Sequence, residues 1–335
     1  MNGLNILIQS SDFYCTFAGV TLESLFYNNR DIPEIQVFLI SDGIKEPNLN
    51  RMRELSEKYN RKINIIDGKE IGEKLASLGV KKYRGESFTN YYKMFADSFI
   101  PESVDRLLYL DSDLIIAGSL RPLIDFDLAG NVIAMAIEPI SVTHKSNIGV
   151  SGRYYFNTGV ILFDMVRWKN EKWSEKFLHH ISDVHATYPL HEQDILSVMM
   201  DGIITVLDLK YNFSTDFIRI KKYGLLKKIF DYDGYYSEEE FTDAYASIVV
   251  YHCMQYLSAR PWVRGNKCPV SDIWDKYLEQ SPWKGFQKIK DYRGFALKCQ
   301  AFLFEVLPKN MFAFINRNVA KYLQNKRARQ NKIGK

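Results

Sequence analysis

The chain has 335 residues, 46% of them hydrophobic and 25% charged, with a formal net charge of +4. That composition excludes a disordered, collagenous or low-complexity chain, and no run of about 18 apolar residues predicts a transmembrane helix. The length predicts one large α/β domain of roughly 250 residues with an appendage, or two ordinary domains.

In chain order, residues 5–9 are a short apolar run ending in Ser10, Ser11 and Asp12. Residues 16–29 follow with helical spacing at Phe17, Val20 and Leu25, which predicts a first strand and helix. No basic n-region or cleavage site accompanies that start, so no signal peptide is expected. Residues 35–40 predict a second strand, closed by the turn chemistry of Ser41-Asp42-Gly43. A helix over 47–59 puts Leu49, Met52, Leu55 and Tyr59 on one face; a third strand (62–66) and helix (69–78) follow. A further helix over 91–99 stops at Pro101. Residues 106–110 form a strand ending at Asp111. Strands alternating with helices of about ten residues predict a mostly parallel sheet covered on both faces, with ligands at the carboxyl ends of the strands.

After Gly130 the pattern turns β-rich, with strands expected at 132–137, 155–163 and 203–207 and a helix beginning near Glu192. The fold class is therefore α/β, a mixed sheet with an added second half. From Pro269 the chain is helical in character, with apolar faces over 295–307 and 311–323. We place a catalytic domain at 1–265 and a helical, basic appendage at 266–335. The tail 317–335 holds seven basic residues (Arg317, Lys321, Lys326, Arg327, Arg329, Lys332, Lys335) and no acidic one, leaving −3 for residues 1–316. Cys15, Cys253, Cys268 and Cys299 lie far apart without C-x-x-C spacing, so no disulfide framework is expected and a reducing, cytosolic setting fits.

The sharpest chemical signal is Tyr109-Leu110-Asp111-Ser112-Asp113-Leu114-Ile115. Two carboxylates at i and i+2 suit a hard divalent cation if the strand ends there; the competing reading is a turn. Asp125-Phe126-Asp127 and Asp231-Tyr232-Asp233 have the same spacing, but only the Asp111 pair directly follows a buried-looking apolar run. His252 sits after the apolar run 246–250, as a ligand delivered by a strand end would.

On these residues the chain resembles the family 8 glycosyltransferases, the group containing bacterial lipopolysaccharide galactosyl- and glucosyltransferases and glycogenin. The resemblance runs from Asn5 to about Trp262, with a looser match through Trp283. Its motifs appear in order: Asp111-x-Asp113, Tyr155-Phe156-Asn157-Thr158-Gly159-Val160, Glu192-Gln193-Asp194 and His252. The resemblance implies a nucleotide-sugar-binding, Rossmann-like fold of the glycosyltransferase A type. It also implies Mn²⁺, with Mg²⁺ as a substitute, held by Asp111, Asp113 and His252 against a UDP-sugar. Gln9, Ser11, Asp12, Tyr14 and Ser112 match the nucleotide-binding positions, with Tyr14 stacking on uracil; Lys93 and Arg260 match the cations that meet phosphate or donor sugar. Glu138, Asn157, Glu192 and Gln193 match positions around the transferred hexose.

Departures from the family pattern are Ser11 for aspartate, Lys93 for arginine, Glu192 for aspartate and Gln255 for glycine, with the later cation arriving two residues late as Arg260. Without the resemblance, Lys93 reads as a solvated helix-face lysine and His252 as a structural imidazole. The implied activity is retaining transfer of glucose or galactose to a glycan or glycolipid acceptor such as lipopolysaccharide or capsular polysaccharide. A UDP-sugar hydrolase and a non-catalytic UDP-binding protein are the alternatives. The basic tail is expected to hold the protein on the inner face of an anionic membrane, with Phe302, Leu303, Phe304, Phe312, Phe314 and Ile315 inserting. Nucleic acid is not an expected partner, because no recognition motif accompanies the charge.

Overall fold

Strands β1 (Gly3–Ser11), β2 (Glu34–Asp42), β3 (Lys62–Asp67) and β4 (Arg106–Leu110) run parallel in the order β3-β2-β1-β4. The structure is a computed structural model that describes residues 3–80, 87–184 and 188–331. The expected tail cations Lys332 and Lys335 lie outside the described residues. Helices α1 (Cys15–Asn28), α2 (Glu46–Tyr59) and α3 (Lys69–Ser77) supply the crossovers between the first strands. Alternation along the strands feeds two cores. Ile6, Ile8, Val37, Leu39, Leu108 and Leu110 face one side, and Leu7, Phe38, Ile40, Leu107 and Tyr109 face the other.

The expected helix over 91–99 is instead a single turn, α4 (Thr89–Tyr92), followed by a 3-10 segment at Lys93–Ser98 with Phe95 off helical angles. Lys93, Met94, Phe95 and Ala96 are all buried, which a helix with one wet face does not do.

Beyond β4 come β5 (Leu114–Ile116), β6 (Ile133–Ile137), α5 (Val142–Ile148), β7 (Phe156–Asp164), α6 (Met165–Asn170) and α7 (Trp173–Val184). Then follow α8 (His191–Met199), β8 (Ile204–Val206), β9 (Phe213–Ser214), α9 (Thr215–Ile220), α10 (Tyr223–Phe230), α11 (Glu238–Ala246) and β10 (Val250–His252). The β-rich expectation for this half is corrected, because seven short helices stand beside its strands. Segments of six to twelve residues carry too few turns to show a 3.6-residue period. Several are started by side-chain caps instead, such as Asp164 on the Arg167 N–H and the Ser237–Glu240 capping box.

Strand β7 lies between β4 and β6 and is antiparallel to both, while β6 pairs in parallel with β8. Thus β7 alone in the seven-stranded sheet runs against the others, which brings its first residues beside the end of β4. A second sheet of three strands, β5-β10-β9, begins three residues beyond Asp111, at Leu114.

The C-terminal elements are α12 (Ser271–Gln280), α13 (Phe295–Val306) and α14 (Lys309–Asn331). Helix α12 packs on α1, and the Trp283 indole lies against Gly19 so closely that a Cβ there would be 2.3 Å from it. Helix α14 packs on α10 and α5. Phe304 and Phe312 are buried edge-to-face, with ring centroids 5.2 Å apart, so these two of the six expected inserting residues face the protein. They form the inner apolar face that attaches the helices. Phe302 and Phe314 remain exposed. Among the described residues no helix is long and apolar enough to cross a membrane. All four cysteines are free.

Candidate active site

The two sheets meet at the Asp111-Ser112-Asp113 segment. Asp111 leaves β4, where its N–H donates to Gly159 O (2.8 Å) at the start of β7. Asp113 precedes β5, and its carbonyl accepts from Cys253 N (3.0 Å). Because β5 pairs antiparallel to β10 with Leu114 opposite His252, the imidazole arrives beside both carboxylates. His252 Nε2 lies 3.3 Å from Asp113 Oδ1 and 3.9 Å from Asp111 Oδ2. One ligand atom from each of Asp111, Asp113 and His252 can be chosen with all three within 4.8 Å of one another. An imidazole nitrogen with two carboxylates is a donor set that fits a divalent ion taking mixed N and O ligands.

A cavity of about 520 Å³ opens over this cluster. Its wall includes Gln9, Ser11 and Tyr14 from the end of β1 and the turn beyond, then Lys93, Ser112, Asn157, Glu192, Gln193 and Arg260. These expected site residues are thus brought together with the Asp111, Asp113 and His252 cluster. Two are not in the wall. Asp12 accepts at the start of α2 from Lys45 N (2.9 Å) and Asn48 Nδ2 (2.9 Å). Glu138 stands behind Asn157, which donates to it from Nδ2 (2.9 Å).

Lys93 is not a solvated lysine: its side chain is 2% exposed. The ammonium donates to Asp111 Oδ1 (3.2 Å), Thr158 O (3.2 Å) and Thr158 Oγ1 (3.3 Å), lies 3.5 Å from Glu192 Oε1, and sits over the Tyr109 ring. The Tyr109 hydroxyl also donates to Asp111 Oδ1. Arg260 donates from Nη1 to the Tyr14 hydroxyl (2.7 Å) and from Nε to Cys253 O (3.0 Å), and its Nη2 lies 2.6 Å from Asp113 Oδ2.

Burial alone would raise the Asp113 carboxyl, but Arg260 and then His252 hold it well below the usual range. His252 is raised, its burial outweighed by Asp113 and then Asp111. Burial pushes Glu192 up to about 7 against the pull of Lys93, and pushes Glu138 up to about 7 against the Asn157 hydrogen bond. Gln193 is held by Thr158 N (3.4 Å) and the Tyr155 hydroxyl (3.3 Å). Tyr155 in turn donates to the fully buried Asp194 (2.6 Å), which also accepts from Leu190 N (2.8 Å).

The sequence profile of glycosyl transferase family 8 matches residues 5–264. The chain belongs to this family. Lipopolysaccharide 1,2-glucosyltransferase of Escherichia coli K12 is 26% identical over 287 residues, covering 84% of this chain and 79% of its own. Lipopolysaccharide 1,3-galactosyltransferase of Salmonella typhimurium is 24% identical over 278 residues, covering 79% and 74%. Among solved structures, the galactosyltransferase LgtC in complex with donor and acceptor sugar analogues superposes with a TM-score of 0.64 at 24% identity, over 83% of this chain and 96% of that one. The expected glycosyltransferase A type of fold is therefore the observed one.

This family 8 site also uses residues that the sequence did not single out. Asn212, just before β9, accepts from His252 Nδ1 (2.9 Å). Thr215 Oγ1 accepts from Met254 N (3.1 Å), and Asp216 accepts from Tyr256 N (3.0 Å) and Leu257 N (2.8 Å), so the start of α9 fixes the lengthened loop between His252 and Arg260. Tyr292, from the C-terminal segment, lines the cavity and accepts from Trp262 Nε1 (3.3 Å). The only available signal for these was proximity in the fold, since each is a common residue type far in sequence from any motif.

Proposed function

We propose that this protein is a Mn²⁺-dependent, retaining hexosyltransferase that moves glucose or galactose from a UDP-sugar to a hydroxyl of lipopolysaccharide or a related surface glycan. The carrying observation is the convergence of Asp111, Asp113 and His252 beneath a cavity walled by Arg260, Lys93, Glu192 and Gln193. The named activities of the Escherichia coli and Salmonella relatives support the lipopolysaccharide acceptor.

Asp111, Asp113 and His252 would hold the ion, which supplies Lewis-acid neutralisation of the diphosphate. Arg260 meets phosphate charge with its planar fork. Tyr14 and Gln9 receive uridine; the Gln9 side-chain oxygen is buried without a partner in the wall, as a site awaiting a ligand N–H would be. Glu192, Asn157 and Gln193 bind and orient the hexose hydroxyls, with Lys93 holding Glu192 in place. In the transfer, the bond from the anomeric carbon to the phosphate oxygen breaks and one to the acceptor oxygen forms. The acceptor proton leaves with UDP. Gln193 is an amide tied at both ends, so it positions rather than attacks.

The deciding experiment is a panel of UDP- and GDP-sugars, each with Mn²⁺ or EDTA, read by nucleotide release. Mn²⁺-dependent release of UDP from one hexose donor supports the reading and names the sugar. UDP binding without turnover on any acceptor would indicate a non-catalytic protein, and undiminished hydrolysis with acceptor present a hydrolase. Absence of UDP binding would overturn the reading.

We further propose peripheral attachment of the protein to the inner face of an anionic membrane. Exposed Phe295, Phe302, Phe314 and Tyr322 on α13 and α14, beside Arg317, Lys321 and Lys326, support it. Co-sedimentation with phosphatidylglycerol vesicles but not with phosphatidylcholine vesicles is the expected result; equal recovery with both would refute it.

A further inference from the structure

We infer that Asn212 is a positioning residue that, through Asn157, fixes the tautomer and ring plane of His252 so that Nε2 is presented to Asp111 and Asp113. The inference rests on the metal reading above and adds how this chain aims its nitrogen ligand.

The polarity of the hydrogen-bond chain is set by one group that cannot be reversed, a backbone amide. Gly159 N–H donates to Asn157 Oδ1 (2.9 Å). That contact identifies the oxygen of the Asn157 amide, so its nitrogen is the end that donates to Glu138 Oε2 (2.9 Å). Asn157 Oδ1 also faces the Asn212 amide at 2.8 Å, and an oxygen can only accept there. Asn212 therefore donates from Nδ2 and turns its own Oδ1 toward His252 Nδ1, 2.9 Å away. An amide oxygen has no proton to give, so His252 Nδ1 must carry one. In the neutral ring, the lone pair is then left on Nε2, the nitrogen beside the two carboxylates. Orientation of a metal-ligating imidazole through its other nitrogen is a general device in metal sites, worth about 10–100-fold in metal affinity.

Two further observations make the arrangement rigid. Asn212, Asn157 and His252 are all buried, leaving little access for water to replace a missing partner. The imidazole also lies flush on Gly159: a Cβ at that residue would be 2.4 Å from His252 Cε1 and 2.8 Å from Nδ1. The ring is confined by the β7 backbone on one side and aimed by Asn212 on its edge. Asn157 joins this aiming chain to the Glu138 carboxylate, so its amide oxygen is already committed to positioning while its neighbours face the cavity.

The test is a Mn²⁺ titration followed by electron paramagnetic resonance, with UDP present, on the full chain and on Asn212→Leu and Asn212→Asp. Asn212→Leu, which removes the acceptor, is expected to weaken Mn²⁺ binding by about 10–100-fold. Asn212→Asp keeps an acceptor for Nδ1–H but sets its second oxygen against Asn157 Oδ1, and is expected to lose clearly less Mn²⁺ affinity than Asn212→Leu. Wild-type affinity in Asn212→Leu, or an equal loss in both variants, overturns the relay while leaving the metal site standing. No Mn²⁺ binding by the wild type would instead remove the metal reading and the relay with it. Should Asn212→Leu not fold, nitrogen-15 histidine spectra of the metal-free wild type decide at a pH where His252 is neutral. A proton on Nδ1 is expected, and a proton on Nε2 refutes the inference.

Discussion

Arg260 and His252 grip opposite oxygens of Asp113: Arg260 Nη2 lies 2.6 Å from Oδ2 and His252 Nε2 3.3 Å from Oδ1. The guanidinium therefore occupies a carboxylate oxygen that a cation would share, and the same guanidinium is the group expected to meet phosphate. Arg260→Ala is expected to bind Mn²⁺ several-fold more tightly in the absence of nucleotide and to raise the KM for the UDP-sugar by about tenfold or more, since a charge-assisted hydrogen bond contributes about 1.5–3 kcal/mol. Metal titration without UDP, set beside steady-state kinetics, separates the two effects. Unchanged values in both would show that Arg260 plays neither part.

Lys93 neutralises two carboxylates from inside the protein. Lys93→Met would leave Asp111 and Glu192 facing each other with no cation between them. The expected cost is about 3 kcal/mol of folding stability in metal-free protein, the scale for breaking a buried ion pair. Urea denaturation with EDTA measures it, and partial recovery on adding Mn²⁺ is expected because the ion restores positive charge beside Asp111.

Glu192 gives the site a pH signature. Its carboxyl titrates at about 7 in the folded protein, pushed up by burial against the pull of Lys93, from an ordinary value of 4.5. Between those values the folded state keeps a proton that the unfolded state has lost. The stabilising contribution is therefore fully present below 4.5 and disappears as pH rises through about 7. Glu192→Gln has no such titration. The stability of wild type relative to Glu192→Gln is expected to fall by about 1–3 kcal/mol between pH 4.5 and 8, measured by denaturant unfolding without metal. A difference that stays flat with pH would disprove the assignment.

Gly159 has no room for a methyl group, because His252 and Asn157 Oδ1 lie within 3.0 Å of where its Cβ would be. Gly159→Ala is expected to push the imidazole off its plane and abolish Mn²⁺-dependent UDP release. Bulk stability should fall less than activity, since the contact is local to the site. Full Mn²⁺ affinity in this variant would mean that the ring has more freedom than the packing allows.

What was legible in the sequence follows the physics of each signal. The strand–helix alternation through β4 stood out because buried parallel strands are near-continuous apolar runs. Asp111-x-Asp113 was separable from the two other D-x-D matches because such a run precedes it. Lys93 was not legible as a buried cation, since its helix lacks an amphipathic face and its partners Thr158 and Glu192 lie 65 and 99 residues away. Asn212 gave no signal at all; its meaning comes from β9 lying beside β10. The bonds of Asp12 to the start of α2 were not legible either, because its position next to Ser11 says nothing of which way it turns. In the tail, aromatic content did not distinguish the inward Phe304 and Phe312 from the outward Phe302 and Phe314.

The junction at Ser112 carries a consequence for how this motif can evolve. Ser112 is all the chain there is between the two carboxylates, and it is tied down: its hydroxyl donates to Gln9 O, and its carbonyl accepts from Thr21 Oγ1 (3.2 Å). Directly afterwards Leu114, Ile115 and Ile116 enter β5, all three buried. Inserting or deleting one residue at the spacer would slip β5 against β10 and turn each of its side chains to the other face. The length of the spacer is thus policed by strand register as well as by ligand chemistry. The Ser112 hydroxyl bond constrains what stands at the middle position, and the strand register constrains how long the interval can be.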